Sequence, residues 1–147
     1  MNLALKYPLF NTKIKKQKNQ TFIFDEVRRK WLLLTPEEWV RQHLIHYLIQ
    51  QKKYPVSLIS IEKEIFLNDL KKRYDVVIYN KRLKPVLVIE CKAPYIELDT
   101  AVVQQALRYN LIIKANYLMI SNGISDLTFN ALNQQVSLPD YEDLNSL

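Results

Sequence analysis

The chain has 147 residues, a length that fits one domain with a sizeable core. Its formal net charge of +6 comes from residues 1–30, which hold eight Lys or Arg against Asp25 and Glu26. A single glycine excludes Gly-rich phosphate-binding loops, and a single cysteine with two histidines offers no zinc framework. Neither a long apolar run nor a signal-peptide pattern occurs, so we expect a cytoplasmic protein without a membrane segment.

Residues 1–30 are interpreted as a basic N-terminal arm and connector. Residues 1–20 lack periodicity and are expected to be irregular, with a short strand near Leu9-Phe10, and residues 22–24 could form a second strand. The positive charge is consistent with an anionic polymer as partner, and equally with a terminus that only improves solubility.

The predicted elements that follow are a helix, three strands, a second helix and two strands. Thr35 and Pro36 match the N-cap and first position of a helix at residues 36–52, and Glu38 would complete its capping box. The strands are predicted at 56–65, 73–79 and 85–91, the second helix at 98–114, and the last strands at 116–121 and 127–129. Residues 136–147 form an acidic tail that we expect to be loosely ordered.

Two of these strands carry charged residues at the ends of apolar runs. Because side chains alternate along a strand, Glu90 and Lys92 share one face while Ile89 and Cys91 take the other. Asp75 would stand near Glu90 if the strands are neighbours. Two carboxylates and an ammonium in one volume suit a divalent cation and an activated water. A structural network of salt bridges is the alternative for the same residues.

This pattern resembles the PD-(D/E)xK nuclease superfamily, and more closely the N-terminal nuclease domain of type I restriction enzyme R subunits. The matching segments are Arg73-Tyr74-Asp75, residues 86–94, residues 105–110 and residues 120–123. Tyr74 stands where the superfamily name has proline. The resemblance implies an α/β, restriction-endonuclease-like core at residues 31–135, with a mixed central sheet flanked by two main helices, and metal-dependent endonuclease activity on DNA.

The resemblance also implies roles for the charged residues. Asp75 and Glu90 would bind Mg²⁺, or Mn²⁺ in its place, together with the backbone carbonyl of Cys91. Lys92 would orient or deprotonate the attacking water. Glu38 is either a helix cap or an acid that completes the metal site, and Glu37 is the weaker candidate for that second role.

Further residues are candidates for contacts with substrate. Gln105 would orient the catalytic site and Tyr109 would lie close to DNA, although both could instead be structural residues of a half-buried helix face. The remaining candidates are basic residues that could contact phosphates near the cleft: Arg73, Lys81, Arg82 and Lys84.

A non-catalytic function is the alternative interpretation. The same fold could serve as a nucleic-acid-binding or assembly module, and could be the partner of a separate motor or restriction-system subunit. No motor sequence follows the predicted domain, so we expect a stand-alone relative or a piece of a split system.

Overall fold

A three-stranded antiparallel sheet occupies most of the N-terminal region in the computed structural model, which describes residues 3–67 and 69–147. Its strands are β1 (Ile14–Gln17), β2 (Gln20–Asp25) and β3 (Lys30–Leu33). The strand predicted at residues 22–24 is confirmed within β2, and residues 3–13 are irregular as expected. The expectations of a strand near Leu9-Phe10 and of irregular structure at residues 14–17 are wrong. Lys18 and Asn19 turn β1 into β2 with positive φ angles of 51° and 63°. The turn lacks the glycine by which such hairpins are usually recognised.

The first long helix, α1 (Pro36–Gln50), begins where the sequence predicts. Thr35 Oγ1 accepts the backbone N–H of Glu38 at 3.0 Å, so the predicted N-cap is confirmed. Val40, Leu44 and Leu48 are fully buried and pack this helix against the core. A short 3₁₀ helix, Val56–Leu58, then replaces the beginning of the strand predicted at residues 56–65.

A mixed six-stranded sheet lies at the centre of the molecule. Its strands, in spatial order, are β4 (Ile59–Leu67), β5 (Leu70–Tyr79), β6 (Pro85–Cys91), β7 (Tyr117–Ser121), β8 (Asp126–Asn130) and β9 (Gln135–Val136). Strands β6 and β7 are parallel, and the other neighbours are antiparallel. Val76 is opposite Ile89, so the two strands that carry Asp75 and Glu90 are neighbours, as the sequence analysis assumed.

Two further helices complete the chain, α2 (Thr100–Ile113) and α3 (Tyr141–Asn145). Leu144 of α3 is fully buried in the main core, and the Tyr141 hydroxyl donates to the carbonyl of Tyr79 at 3.2 Å. The expected loosely ordered tail is thus wrong for this segment. A five-residue helix is too short to show apolar periodicity in the sequence.

The two faces of the central sheet pack against different helices. Side chains such as Ile78 and Leu87 form the larger core with α1 and α3, whereas Val77 and Val88 form the smaller core with α2. The predicted fold class is confirmed: an α/β fold with a mixed central sheet flanked by two main helices. Across residues 3–67 and 69–147, no helix is long and apolar enough to cross a membrane.

Candidate active site

Asp75 contacts the backbone of the Glu90-Cys91-Lys92 triplet. Its Oδ2 atom accepts the N–H of Cys91 at 2.7 Å, next to the Val76–Ile89 pair that joins β5 and β6. Burial raises the pKa of the Asp75 carboxyl above its usual value, and the Glu90 charge adds to this effect, although the Cys91 N–H and Arg41 oppose it. The acid and the triplet of the sequence pattern therefore meet in space.

Glu90 and Lys92 line one small cavity, as expected for residues on the same face of a strand. This cavity of about 70 Å³ lies between the sheet and α2, and we call it the Glu90–Lys92 cavity. Gln105 and Tyr109 of α2 also line it, so the structure brings these two candidates together with the triplet. Its other lining residues are Lys72, Val102 and Ala106.

Asp75 lines a different cavity, which we call the Asp75 cavity. It has a volume of about 330 Å³ and adjoins the start of α1. The other residues around it are Thr35, Pro36, Glu37, Glu38, Arg41, Glu62, Ala93 and Tyr95. Asp75 and the Glu90–Lys92 pair thus line separate cavities, although the charges of Glu90 and Lys92 both act on the pKa of the Asp75 carboxyl.

An irregularity of β4 and β5 explains this division. Tyr74 and Val77 would face opposite sides of a regular strand, yet both pack in the core beneath α2. Ile61 pairs with Val76 and Lys63 with Tyr74, but Glu62 between them has a positive φ of 55°. Strict alternation fails at this point, and the Asp75 carboxylate lies 3.5 Å from Arg41 on α1.

Glu38 takes part in the helix cap only through its backbone N–H, which donates to Thr35. Its carboxylate does not return to the helix start as in a capping box; it accepts from Arg41 Nε and from Gln42 Nε2, each at 2.9 Å. Because Arg41 also contacts Asp75, one guanidinium connects both acids. These contacts hold Arg41 protonated, and its pKa rises even though burial opposes the charge.

Glu62 forms ion pairs with three arginines. Its carboxylate lies 2.8 Å from Arg28, 3.4 Å from Arg41 and 3.0 Å from Arg73. Its pKa is lowered because these guanidinium groups outweigh its partial burial. Glu62 thus combines a strained backbone conformation, with positive φ, and a carboxylate held by three arginines at the edge of the Asp75 cavity.

Lys72 is the internal cation of the Glu90–Lys92 cavity. Its Nζ atom lies 2.6 Å from Glu90 Oε1 and 4.6 Å from the centre of the Tyr109 ring. The sequence analysis missed both Lys72 and Arg41. Arg41 could have been found from its position three residues after Glu38 on a buried helix face, whereas the Lys72–Glu90 contact had no sequence signal.

Glu37 at the start of α1 lines the Asp75 cavity. Burial of its carboxylate and the charge of Asp75 raise its pKa, while Lys92 and Arg41 lower it. The charges of Asp75 and Lys92 thus both act on Glu37. Both acids of the first turn of α1, Glu37 and Glu38, line the Asp75 cavity.

The predicted phosphate contacts divide into two groups. Arg73 is exposed beside the Asp75 cavity and pairs with Glu62. Lys81, Arg82 and Lys84 lie in the turn between β5 and β6, at the opposite end of the hairpin from Cys91. The Arg82 guanidinium there contacts the carbonyl of Leu147. The expectation that these three residues lie near the cleft is wrong.

The ligand chemistry fits a hard divalent cation, because the candidate donors are carboxylate and carbonyl oxygens. In the part of the chain that the structure describes, no group of three or more His, Cys, Asp or Glu side chains is arranged to hold a metal ion. Asp75 is instead paired with Arg41, and Glu90 with Lys72. The donor types fit a metal, while internal cations neutralise the acids.

No curated protein matches the sequence. A DUF820 protein from Anabaena variabilis, described as a candidate nuclease, is 12% identical with a TM-score of 0.43, over 90% of this chain and 93% of that one. The protein SSO0001 is 17% identical with a TM-score of 0.37, over 73% of this chain and 54% of that one. The model of the family "Type I restriction enzyme R protein N terminus" matches residues 36–147. The chain belongs to this family of type I restriction enzyme R protein N termini.

Proposed function

We propose that the chain is a metal-dependent endonuclease of the PD-(D/E)xK type that hydrolyses phosphodiester bonds in DNA. Membership of the restriction-enzyme family supports a nuclease-type fold. One observation carries the proposal: Asp75 accepts the N–H of Cys91, so it is joined to the Glu90-Cys91-Lys92 triplet by a hydrogen bond of 2.7 Å. The two separated parts of the motif are thereby adjacent.

The reaction would use residues on both sides of this contact. Water attacks phosphorus, a new P–O bond forms, and the bond to the 3′ oxygen breaks. The departing 3′ oxygen takes a proton from solvent water, which leaves a 5′-phosphate and a 3′-hydroxyl. Lys92 would hold the attacking water and accept its proton, and Gln105 would orient the groups in the cavity. Asp75, Glu90 and the Cys91 carbonyl would hold Mg²⁺ or Mn²⁺, which neutralises charge on the phosphate and acidifies bound water.

Arg41 and Lys72 have a defined part in this proposal. Each neutralises one acid, because uncompensated carboxylates at partly buried positions are costly. A divalent ion that binds Asp75 and Glu90 would compete with both side chains. Their release would leave two cations beside the bound phosphate, where they favour an anionic substrate.

A second candidate function is a non-catalytic module that binds DNA or a motor or restriction-system subunit. The pairing of Asp75 with Arg41 and of Glu90 with Lys72 favours it, because internal salt bridges satisfy both acids without a metal. On this alternative, nucleic-acid affinity would not depend on divalent ions.

Cleavage assays with the Lys92→Ala variant test the enzyme directly. Single-stranded, duplex and branched DNA would be incubated with Mg²⁺ or Mn²⁺, and circular dichroism would verify that the variant is folded. We expect cleavage by the wild type and none by the variant. Lys81→Ala is the matched control, since Lys81 lies at the far end of the β5–β6 hairpin.

Calorimetric titration with Mn²⁺ separates the two candidate functions. A catalytic site should bind Mn²⁺ and lose this binding in Asp75→Ala. If the wild type cleaves no substrate better than Lys92→Ala, and DNA affinity is unaffected by metal or by Asp75→Ala, the binding module is correct instead.

A further inference from the structure

A surface cavity of about 300 Å³ lies next to the Glu90–Lys92 cavity. Its lining residues are Leu70 on β5 and, on α2, Gln105, Arg108, Tyr109 and Ile112. Gln105 and Tyr109 line both cavities, so the two spaces share a wall. We call this space the Leu70–Ile112 cavity. The proposed cleavage reaction does not involve this cavity.

The lining combines apolar surface with positive charge. Leu70, the Tyr109 ring and Ile112 provide the apolar part, and Ile112 is 42% exposed rather than covered by the fold. Arg108 stands in the lining, and Lys72 lies 4.6 Å from the Tyr109 ring centre. A ligand with a flat apolar group attached to an anion complements these features.

The acids near this space are already paired. Lys72 neutralises Glu90, and Lys71 lies 3.3 Å from Glu64 on the neighbouring strand β4. Arg108 therefore adds positive charge beside the wall that leads to Lys92. An anionic group would be attracted to this wall, while the apolar lining would take the group attached to it.

A nucleotide has this combination, but a nucleotide of a duplex does not present it. Base faces are covered by stacking within a double helix, and only an unpaired or unstacked base can contact an aromatic ring and an apolar cavity with its face. The shared wall matters because a phosphate in the Glu90–Lys92 cavity would place its own nucleoside, or the next one, at the Leu70–Ile112 cavity.

We propose that the Leu70–Ile112 cavity binds an unpaired nucleobase of the strand whose phosphate enters the Glu90–Lys92 cavity. The substrate is accordingly nucleic acid with single-stranded nucleotides at the cleavage position. This inference rests on the proposed nuclease function and narrows its substrate class.

Fluorescence anisotropy tests the cavity without requiring catalysis. The full chain would be titrated, with no divalent metal, into a labelled single-stranded oligonucleotide and into its duplex. Ile112→Ser removes apolar surface that the base would cover, so it should weaken single-strand binding about five- to tenfold. Duplex affinity should change by less than twofold, because only phosphate contacts support it.

Leu111→Ser is the matched control, since Leu111 is the next residue of α2, is 61% exposed and does not line this cavity. Leu70→Ser is a second variant on a different element and should behave like Ile112→Ser, with thermal melting to verify folding. Equal wild-type affinity for single strand and duplex would overturn the inference, as would equal effects of the Ile112 and Leu111 changes. If single-strand preference is found but no substrate is ever cleaved, the base-binding cavity stands and the nuclease function fails.

Discussion

Lys72 and Glu90 form the shortest ion pair that adjoins the predicted catalytic triplet, with 2.6 Å between Nζ and Oε1. Lys72 belongs to β5 and Glu90 to β6, so the pair also crosses the hairpin that carries Asp75. Both side chains are mostly buried, at 22% and 12% exposed. Lys72 therefore neutralises Glu90 when no metal is bound, and a metal ion that binds Glu90 must displace the Lys72 ammonium.

Replacement of Lys72 by methionine should tighten Mn²⁺ binding. The change removes a cation that competes with the metal for Glu90. We expect Mn²⁺ affinity to rise about tenfold, which corresponds to about 1.4 kcal/mol of binding free energy. The metal-free protein should lose about 1–3 kcal/mol of stability, since Glu90 is left without its partner. Calorimetry and urea unfolding measure the two effects. Lys71→Met, an exposed neighbour paired with Glu64, should change neither; an unchanged or weaker Mn²⁺ affinity in Lys72→Met would contradict competition.

The sequence predicted the elements with long periodic patterns and failed where structure depends on tertiary contacts. Helices α1 and α2 and strands β5 and β6 occur within a few residues of their predicted positions. In the N-terminal hairpin the strand at residues 22–24 was predicted, but its partner β1 was missed because Lys18-Asn19 carries no glycine turn signal. Helix α3 was missed because Leu144 is its one buried residue and periodicity needs several.

The candidate site was predicted in outline only. Alternation correctly placed Glu90 and Lys92 at one cavity. The pairing of β5 with β6 correctly brought Asp75 beside the triplet. That Asp75 lines a second cavity could not be predicted, because strict alternation is lost where Glu62 takes a positive φ, a conformation that glutamate rarely adopts and sequence does not reveal. Partners of buried charges are also set by tertiary packing, which is why Arg41 was not foreseen.

Glu62 should stabilise the protein through its three arginine contacts. Glu62→Ala removes the acceptor for Arg28, Arg41 and Arg73, and we expect a loss of about 1–2 kcal/mol in urea unfolding, with partial exposure of the carboxylate limiting the effect. Glu64→Ala on the same strand removes one surface pair and should cost less than about 0.5 kcal/mol. Equal costs for the two variants would show that the cluster contributes no more than a surface ion pair.

The C-terminal segment should be an integral part of the core. Leu144 is fully buried, and truncation of such a side chain to alanine costs about 2–5 kcal/mol. Leu144→Ala should therefore unfold at clearly lower denaturant concentration than the wild type. Leu132→Ala provides the comparison, since Leu132 is 77% exposed and its loss should stay within about 0.5 kcal/mol. A Leu144→Ala variant as stable as Leu132→Ala would mean that α3 does not dock in solution.

Asp25 should make stability depend on pH in the acid range. Burial raises its pKa, but hydrogen bonds from the Arg28 backbone and guanidinium and from Gln42 outweigh this effect, so the pKa lies below the usual value. A depressed carboxyl pKa means that the unfolded chain binds more protons in acid. The stabilisation from Asp25 is thus present above its ordinary pKa of about 4 and is lost as the pH falls through the folded-state pKa.

The Asp25→Asn variant isolates this contribution, because asparagine keeps the shape and loses the charge. At pH 7 the wild type should be more stable by about 1.5–3 kcal/mol, the range for hydrogen bonds to a charged group. Urea unfolding at a series of pH values should show this difference shrinking below about pH 4. Glu26→Gln is the control, since exposed Glu26 pairs only at the surface with Lys13 and Arg29 and should differ little from wild type at any pH. If the Asp25→Asn difference stayed constant or grew towards acid, the Asp25 charge would not be the source of the difference in stability.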